Sequence, residues 1–163
     1  MSDKVILDHA VLAARIKALQ ARGRKVVFTN GCFDLLHVGH VRLLEGAKAE
    51  GDALVVALNS DTSVRELKGE GRPLQSEQER AEILAALRPV DFVTVFSGLR
   101  CDDILKQLGP DLHAKGTDYT PETVPEAPTV AAIGARIVIV GDPKDHATKD
   151  IISRIRRTGG EGR

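Results

Sequence analysis

Residues 25–40 read Lys25-Val26-Val27-Phe28-Thr29-Asn30-Gly31-Cys32-Phe33-Asp34-Leu35-Leu36-His37-Val38-Gly39-His40. The first five, KVVFT, form a short β-branched and aromatic run without polar alternation, which predicts a strand buried on both faces. The polar stretch after it leads into a helical pattern carrying Val41, Leu44 and Ala47 and ending near Gly51. A buried strand followed by a loop and a helix is the half-unit of a parallel sheet.

The same alternation runs through the rest of the chain. Residues 53–58 (ALVVAL), 92–96, 112–115 and 136–140 (RIVIV) read as further buried strands. Helices are expected over residues 8–22, with Leu12, Ile16 and Leu19 at helical spacing and Gly23 as the cap, and over 76–87, where Ser76 and Glu79 form a capping box. Shorter helices are expected over 101–108 and 149–157, and one or two turns over 129–133, after Pro121, Pro125 and Pro128. Residues 59–73 read as a polar loop. The fold class is therefore α/β, a doubly wound, five-stranded parallel sheet of Rossmann-like type with helices on both faces. Residues 1–24 are expected to pack as a helical segment on a domain spanning 25–157, with 158–163 a frayed tail. Ligands of such sheets bind beyond the carboxyl ends of the strands. The polar, Gly-containing stretches 30–40, 59–72, 116–119 and 141–148 all follow strands.

Composition narrows the ligand. The 163 residues carry 23 Lys+Arg against 23 Asp+Glu, which argues against nucleic-acid wrapping by counterion release. The absence of Trp and the single Tyr argue against stacking platforms for single strands. No apolar run reaches the roughly 18 residues that would cross a bilayer, and no signal-peptide pattern opens the sequence, so a cytoplasmic protein without membrane partners is expected. Cys32 and Cys101 match no zinc spacing, and no metal ligands are assigned.

His37-Val38-Gly39-His40 places two imidazoles and several N–H groups at a helix start, with a glycine that lets a ligand approach the backbone. That arrangement suits phosphate. Two histidines that merely cap or pack would have the same spacing, and a zinc pair is a further alternative, although the nearest carboxylate, Asp34, lies in the preceding loop without a zinc-protease helix pattern.

In its full context the segment closely resembles the first motif of the nucleotidyltransferase superfamily marked by H-x-G-H. Asn59-Ser60-Asp61, Leu67-Lys68-Gly69, Arg72-Pro73, Gln78-x-Arg80 and Lys115-Gly116-Thr117-Asp118-Tyr119 extend the likeness to bacterial heptose-1-phosphate adenylyltransferases over residues 25–157. The resemblance implies a sheet order of 3-2-1-4-5, a homodimer, and transfer of AMP from ATP to D-glycero-β-D-manno-heptose 1-phosphate, with Mg²⁺ carried on the nucleotide phosphates. It assigns His37, His40 and Lys68 to catalysis. Asn30, Gly31, Phe33, Gly39, His40, Arg80, Lys115, Gly116 and Thr148 are assigned to the nucleotide, and Asp34, Lys68, Arg72, Asp118 and Tyr119 to the sugar phosphate. The chain departs from the family pattern at Ala147-Thr148-Lys149, where a Ser/Thr run is usual. Two other readings stand beside this one: a cytidylyltransferase for glycerol 3-phosphate or another phospho-alcohol, using CTP, and a nucleotide-binding module without catalysis.

Overall fold

The computed structural model describes residues 2–143 and 145–159. Five strands, β1 (Val26–Gly31), β2 (Ala53–Asn59), β3 (Phe92–Phe96), β4 (Leu112–Lys115) and β5 (Arg136–Ile139), lie in the order β3-β2-β1-β4-β5 and pair in parallel throughout. This is the expected doubly wound sheet. The helices are α1 (His9–Gln20), α2 (Val38–Ala49), α3 (Asp61–Lys68), α4 (Glu77–Ala86), α5 (Asp102–Leu108), α6 (Ala127–Ala132) and α7 (Thr148–Thr158).

The continuous apolar reading of β2 follows from burial on both faces. Leu54, Val56 and Leu58 pack with Leu44 and Ala47 of α2 and Leu84 and Ala85 of α4. The alternate residues Ala53, Val55 and Ala57 pack with Leu12 and Ile16 of α1, Leu105 and Leu108 of α5 and Val130 of α6. Each fully buried aliphatic side chain contributes about 1.5–3 kcal/mol relative to exposure. The core therefore consists of two apolar layers divided by the sheet.

At the amino ends of the strands, aspartates take the first free N–H groups. Asp52 Oδ2 accepts from Lys25 N at 2.8 Å, Asp91 Oδ2 from Leu54 N at 2.7 Å and Asp111 Oδ2 from Val26 N at 2.8 Å. These carboxylates are spent on the backbone, so this edge of the sheet serves as connection. Residues 4–6 pair along β3, with Ile6 N donating to Val93 O and Val93 N to Lys4 O, each at 2.8 Å, which covers a strand edge.

Residues 59–73 depart from the expected loop, because α3 occupies their middle. Ser60 caps it by accepting from Ser63 N at 3.3 Å, but its buried residues are only Ser63 and Val64, so it has almost no apolar stripe to read. The last helix runs from Thr148 to Thr158 and buries no residue; 160–163, most of the expected tail, lie outside the described residues. No helix among the described residues is long and apolar enough to cross a membrane.

Candidate functional site

The strand order reverses between β1 and β4, and α2, which follows β1, lies on the face opposite α1, α5 and α6. The loops leaving the two strands therefore diverge and open a crevice. A cleft of about 690 Å³ lies there, lined by residues of the 29–43 segment, the 115–119 loop and the 140–149 loop, with Asn59, Lys68 and Arg72 along one side.

His37 and His40 meet at the start of α2. Their rings stack with centroids 3.9 Å apart and planes 25° from parallel. His40 Nδ1 accepts from His37 N at 3.4 Å, which in the neutral ring places the proton on Nε2. Gly39 makes the stack possible: a Cβ there would lie 2.9 Å from the His37 ring. Gly31 has an analogous cause, since a Cβ would lie 2.9 Å from the Phe33 ring. Phe33 itself holds a positive φ of 46° and is only 6% exposed, with its ring 5.1 Å from that of His40. A non-glycine residue in that conformation stores local strain, and here the turn brings the histidine-bearing helix start back over the sheet.

Across the cleft, Lys115 ends β4. Its Nζ donates to Asn30 Oδ1 at 3.1 Å, lies 3.6 Å from Glu126 Oε2 and sits 5.3 Å from the centre of the Tyr119 ring. Asn30 thus ties the H-x-G-H strand to the lysine strand. Gly116 and the exposed Asp118 line the same wall, and a Cβ at Gly116 would lie 3.0 Å from Asp118 Oδ1. Thr148 lies at the amino end of α7, where its hydroxyl donates to Leu35 O at 3.0 Å. The N-cap, Ala147, makes no side-chain cap, which leaves that helix end to its own N–H groups and their positive field.

Three expected residues have different surroundings from those the sequence suggests. Arg80 is outside the cleft: its side chain is fully buried, and its guanidinium donates to Gln75 O at 3.1 Å, Cys32 O at 2.6 Å, Asn59 O at 2.9 Å and Asp61 Oδ1 at 2.8 Å. It clamps the loops behind β1 and β2 instead of presenting charge to phosphate. Asp34 borders the cleft but is 2% exposed, accepting from Arg72 Nε at 2.7 Å, from Leu74 N at 2.8 Å and from Gln75 N at 3.1 Å. It anchors the 72–75 turn and holds Arg72 at the rim. Lys68 is the last residue of α3, ahead of Gly69 at φ 94°, and makes no ion pair among the described residues.

The sequence reading passed over Arg42, Asp142 and His146. Arg42 of α2 pairs with Asp142 at 2.7 Å and fastens the 141–147 loop to the histidine helix. His146 reaches the same place, its ring centroid 6.4 Å from that of His37. A histidine following a strand end was the one available signal. Cys32 lines the cleft, and burial pushes its thiol pKa up, opposed by the nearby charges of Lys68 and Arg80.

The parallel sheet opens at its reversal point onto stacked histidines, an anchored lysine and an uncapped helix start, the layout of a doubly wound α/β protein with a phosphate-suited crevice. The chain belongs to the cytidylyltransferase-like family, whose model matches residues 28–157. It is 50% identical over 154 residues to the bifunctional protein HldE of Pelobacter propionicus, covering 94% of this chain and 32% of that protein. To the protein of the same name from Geobacter metallireducens it is 50% identical over 160 residues, covering 98% of this chain and 33% of the relative. The chain thus spans about a third of the length of these curated relatives. Among solved structures, the lipopolysaccharide core biosynthesis protein of Thermoplasma volcanium matches with a TM-score of 0.63 at 26% identity, over 75% of this chain and all of that one.

Proposed function

We propose that the chain transfers AMP from ATP to D-glycero-β-D-manno-heptose 1-phosphate, giving ADP-heptose and pyrophosphate. The observation that carries this reading is the convergence of the H-x-G-H segment and the Lys115 loop on one cleft, tied by Asn30 at 3.1 Å. Both motifs match the heptose-1-phosphate adenylyltransferase pattern.

A sugar phosphate is already an anionic nucleophile, so the reaction needs no strong general base. The difficulty is to bring two polyanions together and to hold the charge that develops in line. One phosphate oxygen of the sugar bonds to the α-phosphorus as the bond from that phosphorus to the β-bridging oxygen breaks, and pyrophosphate leaves with the electron pair. His37 and His40, with the N–H groups at the start of α2, are assigned to the attacked phosphate. Lys115 and the α7 start with Thr148 hold the nucleotide phosphates, with Asn30, Gly31, Gly39 and Gly116 forming the backbone wall and Phe33 supporting it from beneath. Lys68 and Arg72 receive the sugar phosphate, and Asp118 and Tyr119 face its hydroxyls. Asp118, Asp142 and Asp145 border the cleft without forming an ion-binding cluster among the described residues, and Asp142 is paired with Arg42, so a divalent ion would be brought in on the phosphates. Mg²⁺ so carried would supply neutralisation of phosphate charge.

The test is to incubate the chain with Mg²⁺, each nucleoside triphosphate and either heptose 1-phosphate or glycerol 3-phosphate while pyrophosphate release is followed. Release with ATP and the heptose is expected. Faster turnover with CTP and glycerol 3-phosphate would replace this reading with the cytidylyltransferase one. The uncapped Ala147 and the neighbouring Lys149 favour a second reading, nucleotide binding without transfer, which predicts ATP binding and no release with any pair. We also propose a cytoplasmic homodimer without nucleic-acid or membrane partners, for which sedimentation of the purified chain is the check.

A further inference from the structure

Behind the wall of the cleft, three side chains from separate elements meet in the core. Cys101 is the N-cap of α5, His113 lies within β4 and Glu126 is the N-cap of α6. Cys101 and His113 are fully buried and Glu126 is 3% exposed. One sulfur, nitrogen or oxygen atom from each lies within 4.8 Å of the others.

The protonation of this cluster follows from its neighbours. Lys115 Nζ, which can only donate, lies 3.1 Å from Asn30 Oδ1, so that atom is an oxygen and an acceptor. His113 Nε2 lies 3.2 Å from the same oxygen and must carry the ring proton, which leaves Nδ1 with a bare lone pair. Nδ1 has no hydrogen-bond partner, and neither has Glu126 Oε2. Burial, with the charge of Lys115 beside it, depresses the His113 pKa to about 3 and keeps the ring neutral. The imidazole acceptor lacks a donor and the Glu126 oxygen is met by Lys115 Nζ at 3.6 Å, beyond hydrogen-bonding distance, so both are incompletely satisfied in a folded core, which is costly. Neither the N-cap of α5 nor that of α6 spends its side chain on capping. An unpartnered imidazole nitrogen and a carboxylate facing a thiol form a sulfur, nitrogen and oxygen donor set, the kind that holds a borderline divalent ion.

We propose that Cys101, His113 and Glu126 bind a zinc-class divalent cation in the core, at a site separate from the nucleotide cleft. On binding, the cysteine proton leaves to solvent, and thiolate, carboxylate and neutral imidazole together offset the ion's two positive charges. The charge of Lys115 then remains for the cleft. The His113 Nε2–H bond to Asn30 is the outer contact that orients a ligating imidazole. The ion would join β4 to the starts of α5 and α6, and through Asn30 it would brace Lys115. The spacing of the cysteines hides the site because only one of them contributes, and its partners come from other elements.

Cobalt is the probe, since its sulfur-to-metal charge-transfer band reports a thiolate ligand. The purified chain is stripped with a chelator and titrated with Co²⁺, both directly and during refolding from denaturant. The expected result is a charge-transfer band saturating at one ion per chain, kept by Cys32→Ser and lost by Cys101→Ser. At a hundredfold excess of free Zn²⁺ over its dissociation constant, the melting midpoint of the wild-type chain rises by roughly 5–10 °C. Glu126→Gln and Cys101→Ser remove that rise. The absence of a thiolate band from the wild-type chain in both titrations overturns the proposal, and this arm requires no variant to fold. A band that survives Cys101→Ser but disappears in Cys32→Ser overturns it too, because the ion would then lie in the histidine cleft.

Discussion

Replacing Arg80 with methionine separates two roles for this residue. The side chain is 0% exposed and donates to three backbone carbonyls and to Asp61. Methionine fills much of the same volume but satisfies none of these acceptors. An orphaned buried carbonyl costs about 1–3 kcal/mol. Removing one partner of a buried ion pair costs about 3–5 kcal/mol, and the lower end applies because the Asp61 side chain is 34% exposed and partly screened. Because two of the three carbonyls are only part-buried and the two costs overlap, the ion-pair figure sets the lower bound, and a loss of at least about 3–4 kcal/mol is expected. For a chain of this size that lowers the melting midpoint by roughly 6–16 °C. Urea and thermal unfolding followed by circular dichroism measure it directly. Arg80→Lys retains charge but not the fork, and should lose nearly as much. If Arg80→Met instead melts within about 2 °C of wild type while the apparent affinity for nucleotide collapses, the clamp reasoning is wrong and the guanidinium serves the ligand.

Gly39→Ala should raise or preserve stability, since alanine in a helix is favoured by up to about 1 kcal/mol. Its Cβ meets the His37 ring, however, so turnover in the pyrophosphate assay should fall by about 10²-fold. His40→Ala should lower turnover by roughly 10²–10³-fold with little change in melting, whereas unchanged turnover would remove the imidazole from the reaction. Asp34→Asn keeps one oxygen for Leu74 N and Gln75 N but turns an NH₂ donor toward Arg72 Nε, so the ion pair is lost and two donors face each other behind the 72–75 turn. Limited proteolysis should then cut near that turn, and unfolding measurements should show a loss of about 2 kcal/mol. Cys32 should alkylate slowly at neutral pH, with a midpoint above that of an ordinary thiol because burial disfavours the thiolate; a midpoint at or below the ordinary value would contradict the packing around it.

The strands were legible because a β-branched run buried on both faces has a composition that few other elements share, as in the ALVVAL stretch within β2. The capping box at Ser76 and Glu79 was legible for a local reason, since both partners lie within one turn. Helix α3 was not, because an eight-residue helix whose apolar residues are Val64 and the exposed Leu67 is too short and too polar to stand out as an apolar stripe. In the cleft, glycines and histidines at fixed spacing could be read as a phosphate site, and the histidine pair does meet there. Charged residues were harder to place. Asp34 and Arg80 look like ligand-binding groups in sequence, yet each is spent on partners brought near only by folding.

By itself, then, the sequence determined the parallel sheet, the order of elements along the chain and the edge where the phosphate motif lies, since these follow from local periodicity and from the short reach of turns and caps. The tertiary structure decided which charges remain for a ligand. Burial and pairing act through space, so Arg80 turns inward while Lys68 keeps to the rim, and Lys115 is held by Asn30 and Glu126 from two different elements. The same physics gathered Cys101, His113 and Glu126 into one buried cluster that no spacing along the chain foretells.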